Sequence, residues 1–157
     1  MNEVRSSISK FYITLPSNAS MTLYPNNKVN DYTTHLAQDV YFDGKWEVNL
    51  EEITFPYNWK EEAKDDNSTP SLYLYCDWVE AQLVGETKVS LLRTVPIIGQ
   101  RNSIINHEFK RDHYVTLAGS GYKRDIRIKT CNDVGESVKF ESGKLVCVLH
   151  FRRCKDQ

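Results

Sequence analysis

The 157-residue sequence lacks any sustained repeat of apolar side chains at three-to-four-residue spacing, so it offers no amphipathic helix. No apolar run approaches the ~20 residues that a membrane-spanning helix needs, and no membrane insertion is expected. The N-terminal Met-Asn-Glu-Val-Arg-Ser-Ser has no apolar core of a secretory signal, so the product is expected to stay inside the cell that makes it. The sequons at Asn18 and Asn67 then read as coincidental. Four cysteines, Cys76, Cys131, Cys147 and Cys154, contain no CxxC pair and read as reduced, structural thiols. Charge of one sign is also missing: 20 Lys and Arg against 21 Asp and Glu give a formal net charge of −1. The chain as a whole therefore has no electrostatic case for nucleic acid or an anionic membrane.

Catalytic and metal patterns are absent in the same way. His35, His107, His113 and His150 include no His-x-His pair of the kind a metal-binding β-barrel enzyme uses, so no metal and no cofactor are expected. No Gly-flanked nucleophilic Ser and no Gly-rich phosphate loop occur. Glu51 and Glu52 are neighbours in an apparent strand and point to opposite faces, which makes them a poor acid–base pair. The sequence does not read as an enzyme. A jelly-roll enzyme is kept as a third reading, and it predicts bound metal.

What the chain does have is aromatic and β-branched residues in short alternating runs. Nine Tyr, six Phe and three Trp favour strands and interfaces. Eight strands are expected, over residues 11–15, 31–42, 46–57, 72–83, 89–95, 113–118, 125–131 and 145–151. Residues 1–10 read as an N-terminal arm, 11–153 as one domain and 154–157 as a tail. In the third strand Trp46, Val48 and Leu50 hold even positions and Ile53, Phe55 and Tyr57 odd ones. That slip at Glu51-Glu52 calls for a β-bulge or a sheet-bending corner, and a similar slip follows Trp78. The segment Lys60–Pro70 reads as a charged loop, with room for one helical turn from Trp59 to Lys64. The connections alternate long and short, which places the long ones together at one end if consecutive strands run antiparallel. Together these features predict an all-β fold, a single eight-stranded jelly-roll sandwich. An immunoglobulin-type sandwich would want seven strands and a Cys–Trp–Cys core, and Trp46 and Trp78 are not flanked that way.

The last strand is apolar on both faces. Leu145, Cys147, Leu149 and Phe151 form one side, Val146 and Val148 the other, so something should cover the second side. Either the chain itself, for example its N-terminal arm, or another subunit supplies that cover. Phe55-Pro56-Tyr57-Asn58-Trp59 is a second aromatic concentration. Tyr57, Trp59, Val146, Val148 and His150 are the candidate subunit-interface residues. Lys110-Arg111, Lys123-Arg124 and Arg152-Arg153-Lys155 read as solvated clusters. The last of them leaves open a modest basic tail facing nucleic acid.

An ordered set of segments runs along the chain: Phe11-Tyr-Ile-Thr-Leu-Pro-Ser17 with Tyr24-Pro25, Trp46-Glu-Val-Asn-Leu-Glu-Glu-Ile53 through Pro56 to Trp59, Tyr75-Cys-Asp77 with Val84-Gly85, Leu91-Leu-Arg93, His113-Tyr-Val115, and Phe140-Glu-Ser-Gly-Lys-Leu145 with Leu149-His-Phe-Arg-Arg153. Together they resemble the penton (minor capsid) proteins of Polinton (Maverick) elements and adintoviruses. The loop at 98–106 and the Gly119-Ser-Gly121 turn look idiosyncratic. The resemblance implies a virion protein without enzymatic activity, a single jelly roll forming homopentamers at capsid vertices beside a major double jelly-roll capsid protein. The alternative is a carbohydrate- or receptor-binding jelly roll. It would use the long loops, with Trp59 as a platform beside Asp65-Asp66-Asn67, and a host receptor at that end is compatible with both readings.

Overall fold

The computed structural model of the chain describes residues 9–60 and 70–155. Most of the expected N-terminal arm and most of the charged 60–70 segment lie outside the described residues. Eleven strands, and no helix, are present among the described residues: β1 (Lys10–Pro16), β2 (Asp31–Phe42), β3 (Trp46–Pro56), β4 (Ser71–Cys76), β5 (Gln82–Val84), β6 (Thr87–Val89), β7 (Leu91–Pro96), β8 (Ile104–Glu108), β9 (Val115–Thr116), β10 (Gly121–Cys131) and β11 (Val146–Arg153). One sheet runs in the order β1-β11-β3-β8, with β9 also on β3, and the other runs β2-β10-β4-β7. β5 and β6 form a separate hairpin. The antiparallel pairs are nested: β1 with β11, β2 with β10, β3 with β8, β4 with β7.

The inward residues of the two sheets meet in one core. Leu15, Leu50, Ile53, Leu149 and Phe151 from the first sheet join Tyr32, Phe42, Leu74, Leu92 and Ile126 from the second. Rings hold the contact at one end: Phe42 lies 5.7 Å from Phe151 and packs edge-on to Trp46 and Trp78 at 5.3 and 5.7 Å. Such pairs contribute about 0.5–1.5 kcal/mol each beyond the area they bury. The Tyr32 hydroxyl crosses the core to donate to Leu15 O at 2.9 Å, so its polar end is not left unpaired.

Two irregularities shape the sheets. On β3 the register passes from Val148–Glu52 to Leu149–Leu50, leaving Glu51 as the extra residue of a bulge at the slip the sequence shows. On β2 the register jumps from His35–Asp125 to Val40–Lys123, so residues 36–39 stand opposite Arg124 alone. Arg124 fills that gap, donating from Nε to Leu36 O and from Nη2 to Ala37 O at 3.0 and 3.2 Å. The broken apolar pattern at Ala37-Gln38-Asp39 is the sequence trace of this bulge.

Three expectations about strands change. The expected strand 72–83 stops at Cys76; Val79 bridges Leu117, and Leu83 belongs to the separate β5–β6 hairpin. The slip after Trp78 is therefore a strand end and not a bulge. The expected long connection 97–112 contains β8, which pairs with β3. Of its five residues only Ile105 is buried, so the alternation was too weak to read. The expected strand 113–118 shrinks to β9, because Leu117 and Ala118 bond instead to Trp46 and Trp78.

The long connections do gather at one end. Asn30 Nδ2 donates to Val138 O, Tyr57 N to Ser103 O, and Asn58 Nδ2 to Ser142 O, linking the segments after β1, β3, β7 and β10. Trp59 completes the cluster by packing edge-on to Phe140 at 5.0 Å.

Candidate functional site

The outward face of the β1-β11-β3-β8 sheet carries most of the expected interface residues. Val148 sits between Thr14 and Glu52, and Val146 between Pro16 and Thr54, both half-buried. Beyond Thr54 the face continues to Asn106 and to Ile104, which is 69% exposed. On the far side Tyr12 is 62% exposed. This is a surface of valine, threonine and exposed aromatic and isoleucine side chains that no described strand covers.

His150, expected on that same open face, is covered by its own chain. Tyr12 packs on its ring at 4.5 Å, and the Tyr114 hydroxyl is hydrogen-bonded to its Nδ1 at 2.7 Å. Tyr57 and Trp59 depart further from the expectation. They are 8% and 5% exposed and belong to the core, tied down by Arg101, which lies over the Tyr57 ring and donates to Trp59 O. They serve the fold and present little surface to a neighbour. The same burial removes Trp59 as a sugar platform, and Asp65-Asp66-Asn67 lie outside the described residues.

A polar cluster closes the open edge between the sheets, and the sequence reading did not find it. β8 and β9 both pair with β3, and Phe109 N still donates to Glu51 O, but the chain leaves the β3 backbone over residues 110–114. Into that gap Arg93, from β7 of the other sheet, donates to Asn49 Oδ1 (2.8 Å) and Leu50 O (3.4 Å) through Nη1 and to Arg111 O (2.7 Å) through Nη2. Its guanidinium also lies 3.8 Å over the Phe109 ring. Asn49 is fully buried; its oxygen also accepts from His113 N at 2.8 Å, and its amide nitrogen donates to Glu51 and, at 3.4 Å, to Asp112. The available signal was Asn49 itself, a lone uncharged polar residue between Val48 and Leu50.

Two arginines of the C-terminal basic cluster are paired. Arg152 meets Glu47 at 2.5 Å and lies over Tyr114, while Arg153 meets Asp43 at 2.7 Å and lies over Trp46. The two arginines that left a basic tail open as an alternative are thus held against the body of the domain. Three thiols, Cys76, Cys131 and Cys147, are buried and free, and burial pushes the Cys147 thiol up to about 12. His35 and Tyr24 share one oxygen of Asp125, at 2.9 and 2.8 Å, on an exposed surface. These bonds hold the Asp125 carboxyl below its usual range. Among the described residues no group of three or more His, Cys, Asp and Glu could hold a metal ion.

The other sheet carries a groove of about 730 Å³ on its outer face. Tyr75 and Lys129, cross-strand partners on β4 and β10, line it beside Asp77 and Arg127. The β5–β6 hairpin forms one wall and the turn at 133–135 the other. No protein-family model and no curated protein matches this chain.

Proposed function

We propose that the chain is a single jelly-roll capsid subunit that acts by assembly, without catalysis, as a homopentamer at the vertices of a virion. The nested strand pairing carries this reading. First strand with last, second with second-to-last, and so inward to β4 with β7, alternating between two sheets, is how one long hairpin rolls into a jelly roll. In this count β8 and β9 are two pieces of one interrupted strand, and β5–β6 is an insertion, which reduces eleven strands to eight. Fold alone does not give function. The further support is the resemblance to Polinton and adintovirus pentons and the uncovered face around Val146 and Val148.

Five copies around an axis make heterologous contacts that close by rotation. The partners in this reading are four further copies of the chain and a surrounding double jelly-roll capsid protein. Sedimentation velocity with negative-stain imaging tests it. The expected result is a particle of about five times the 18.2 kDa monomer with fivefold class averages. A monomer at tens of micromolar, with no ring in the images, overturns it.

A further inference from the structure

The groove over the β2-β10-β4-β7 sheet has the volume of a ligand site and lies on the opposite sheet from the face proposed for assembly. Its volume of about 730 Å³ lies within the ~300–1,000 Å³ typical of small-molecule sites. Both walls are held by their own bonds. In one, Asn132 Oδ1 accepts from Val134 N and Glu136 N at 3.1 and 2.9 Å, and Gly135 turns the chain at a φ of 85°. In the other, Thr87 Oγ1 donates to Val84 O at 2.9 Å across a turn made by Gly85 at a φ of 57°. Walls fixed before binding reduce the ordering cost of a ligand.

The charge inside the groove argues against an anionic ligand. Asp77, Glu86 and Asp133 contribute three carboxylates, against Lys129 and Arg127. Arg127 is already matched by a two-pronged bond to Asp31 at 2.8 and 2.7 Å. An anionic ligand such as a phosphate or a sulfated sugar would meet a net negative site. Asp77 accepts from Arg127 N through Oδ1 at 2.9 Å and forms no ion pair among the described residues, which leaves carboxylate lone pairs for a ligand. Lys129 likewise forms no ion pair among the described residues, so a donor and an acceptor remain to meet hydroxyl groups. Between them Tyr75 offers a half-buried ring. A ring beside unused donors and acceptors matches a molecule with apolar C–H faces and hydroxyl rims.

We propose that this groove binds a neutral oligosaccharide, stacked on Tyr75 and hydrogen-bonded by Asp77, Lys129 and Asp133. The site does not depend on the assembly reading. The test screens the full chain on a glycan array holding neutral, sialylated and sulfated members, then titrates the best neutral hit by calorimetry. Tyr75→Ala and the turn variant Asp133→Lys are each expected to weaken binding by at least about tenfold. Tyr122→Ala, which alters an exposed ring 4.7 Å from Tyr41 outside the groove, is expected to leave it unchanged. If Tyr75→Ala fails to fold, Asp133→Lys alone decides. No neutral glycan bound at millimolar concentration, binding confined to anionic glycans, or full affinity in the groove variants overturns the proposal.

Discussion

Arg93 Nη1 donates to Asn49 Oδ1 at 2.8 Å, joining an edge strand of one sheet to an inner strand of the other. Asn49 is fully buried, and its oxygen is also the acceptor for His113 N. Asn49→Ala leaves a guanidinium and an amide without that acceptor, and a loss of about 2–4 kcal/mol is expected in urea unfolding. A loss below about 1 kcal/mol would mean that water replaces the asparagine without strain. Arg93→Lys is not expected to be silent, because one ammonium cannot reproduce a planar fork that reaches Asn49, Leu50 and Arg111.

Val148→Lys tests the open sheet face. The new ammonium would stand beside Glu52, its cross-strand neighbour, so the fold is expected to change by less than about 1 kcal/mol. If the proposed ring uses this face, it is expected to dissociate, because a charge would enter each contact. Thermal unfolding and sedimentation read the two effects separately. A stable variant that still forms pentamers rules this face out as the contact.

Asp31 gives the pH dependence a sign. The Arg127 guanidinium holds its carboxyl below 3.8, opposed by partial burial. A carboxylate with a lowered folded pKa contributes stability above its unfolded value, and that stability is lost as the pH falls through the folded value. With the pair partly exposed, Asp31→Asn is expected to cost about 0.5–1 kcal/mol at neutral pH and progressively less as the pH falls below the usual carboxylate range. A constant difference across that range would assign the cost to packing.

The thiols make a simple chemical prediction. Cys76, Cys131 and Cys147 are buried, and only Cys154 is partly exposed. Desolvation, with Glu47 nearby, raises the Cys154 thiol, so it is expected to react more slowly than a free cysteine. Native protein should take up one equivalent of a thiol reagent, lost in Cys154→Ser, and unfolded protein four. Rapid labelling of a second thiol in the native state would show that the core opens.

Some of this architecture was legible from residue pattern. Leu145, Cys147, Leu149 and Phe151 are all fully buried, as alternation along the last strand required. The Glu51-Glu52 slip marks a real bulge because one extra residue must invert the pattern after it. Tyr57 and Trp59 show where pattern fails: cores and interfaces both select large aromatic side chains, so identity alone cannot separate them. β8 was missed because a strand with one buried residue carries too little alternation to be distinguished from a loop. The groove was invisible for a different reason, since Tyr75 and Lys129 are brought together only by the pairing of β4 with β10, strands far apart in the sequence.

That nesting also sets an order of events during synthesis. In its sheet β1 pairs with β11 alone, and one edge of β3 waits for the same strand. A chain still on the ribosome before residue 146 therefore holds Leu15, Leu50 and Ile53 on strands that lack β11 between them. Pairings so distant in sequence form slowly, and open apolar edges invite association with other chains. Truncated products cannot close the first sheet at all. The fold thus discriminates against incomplete chains: only a polypeptide synthesised through Arg153 can insert the strand that joins its beginning to its middle.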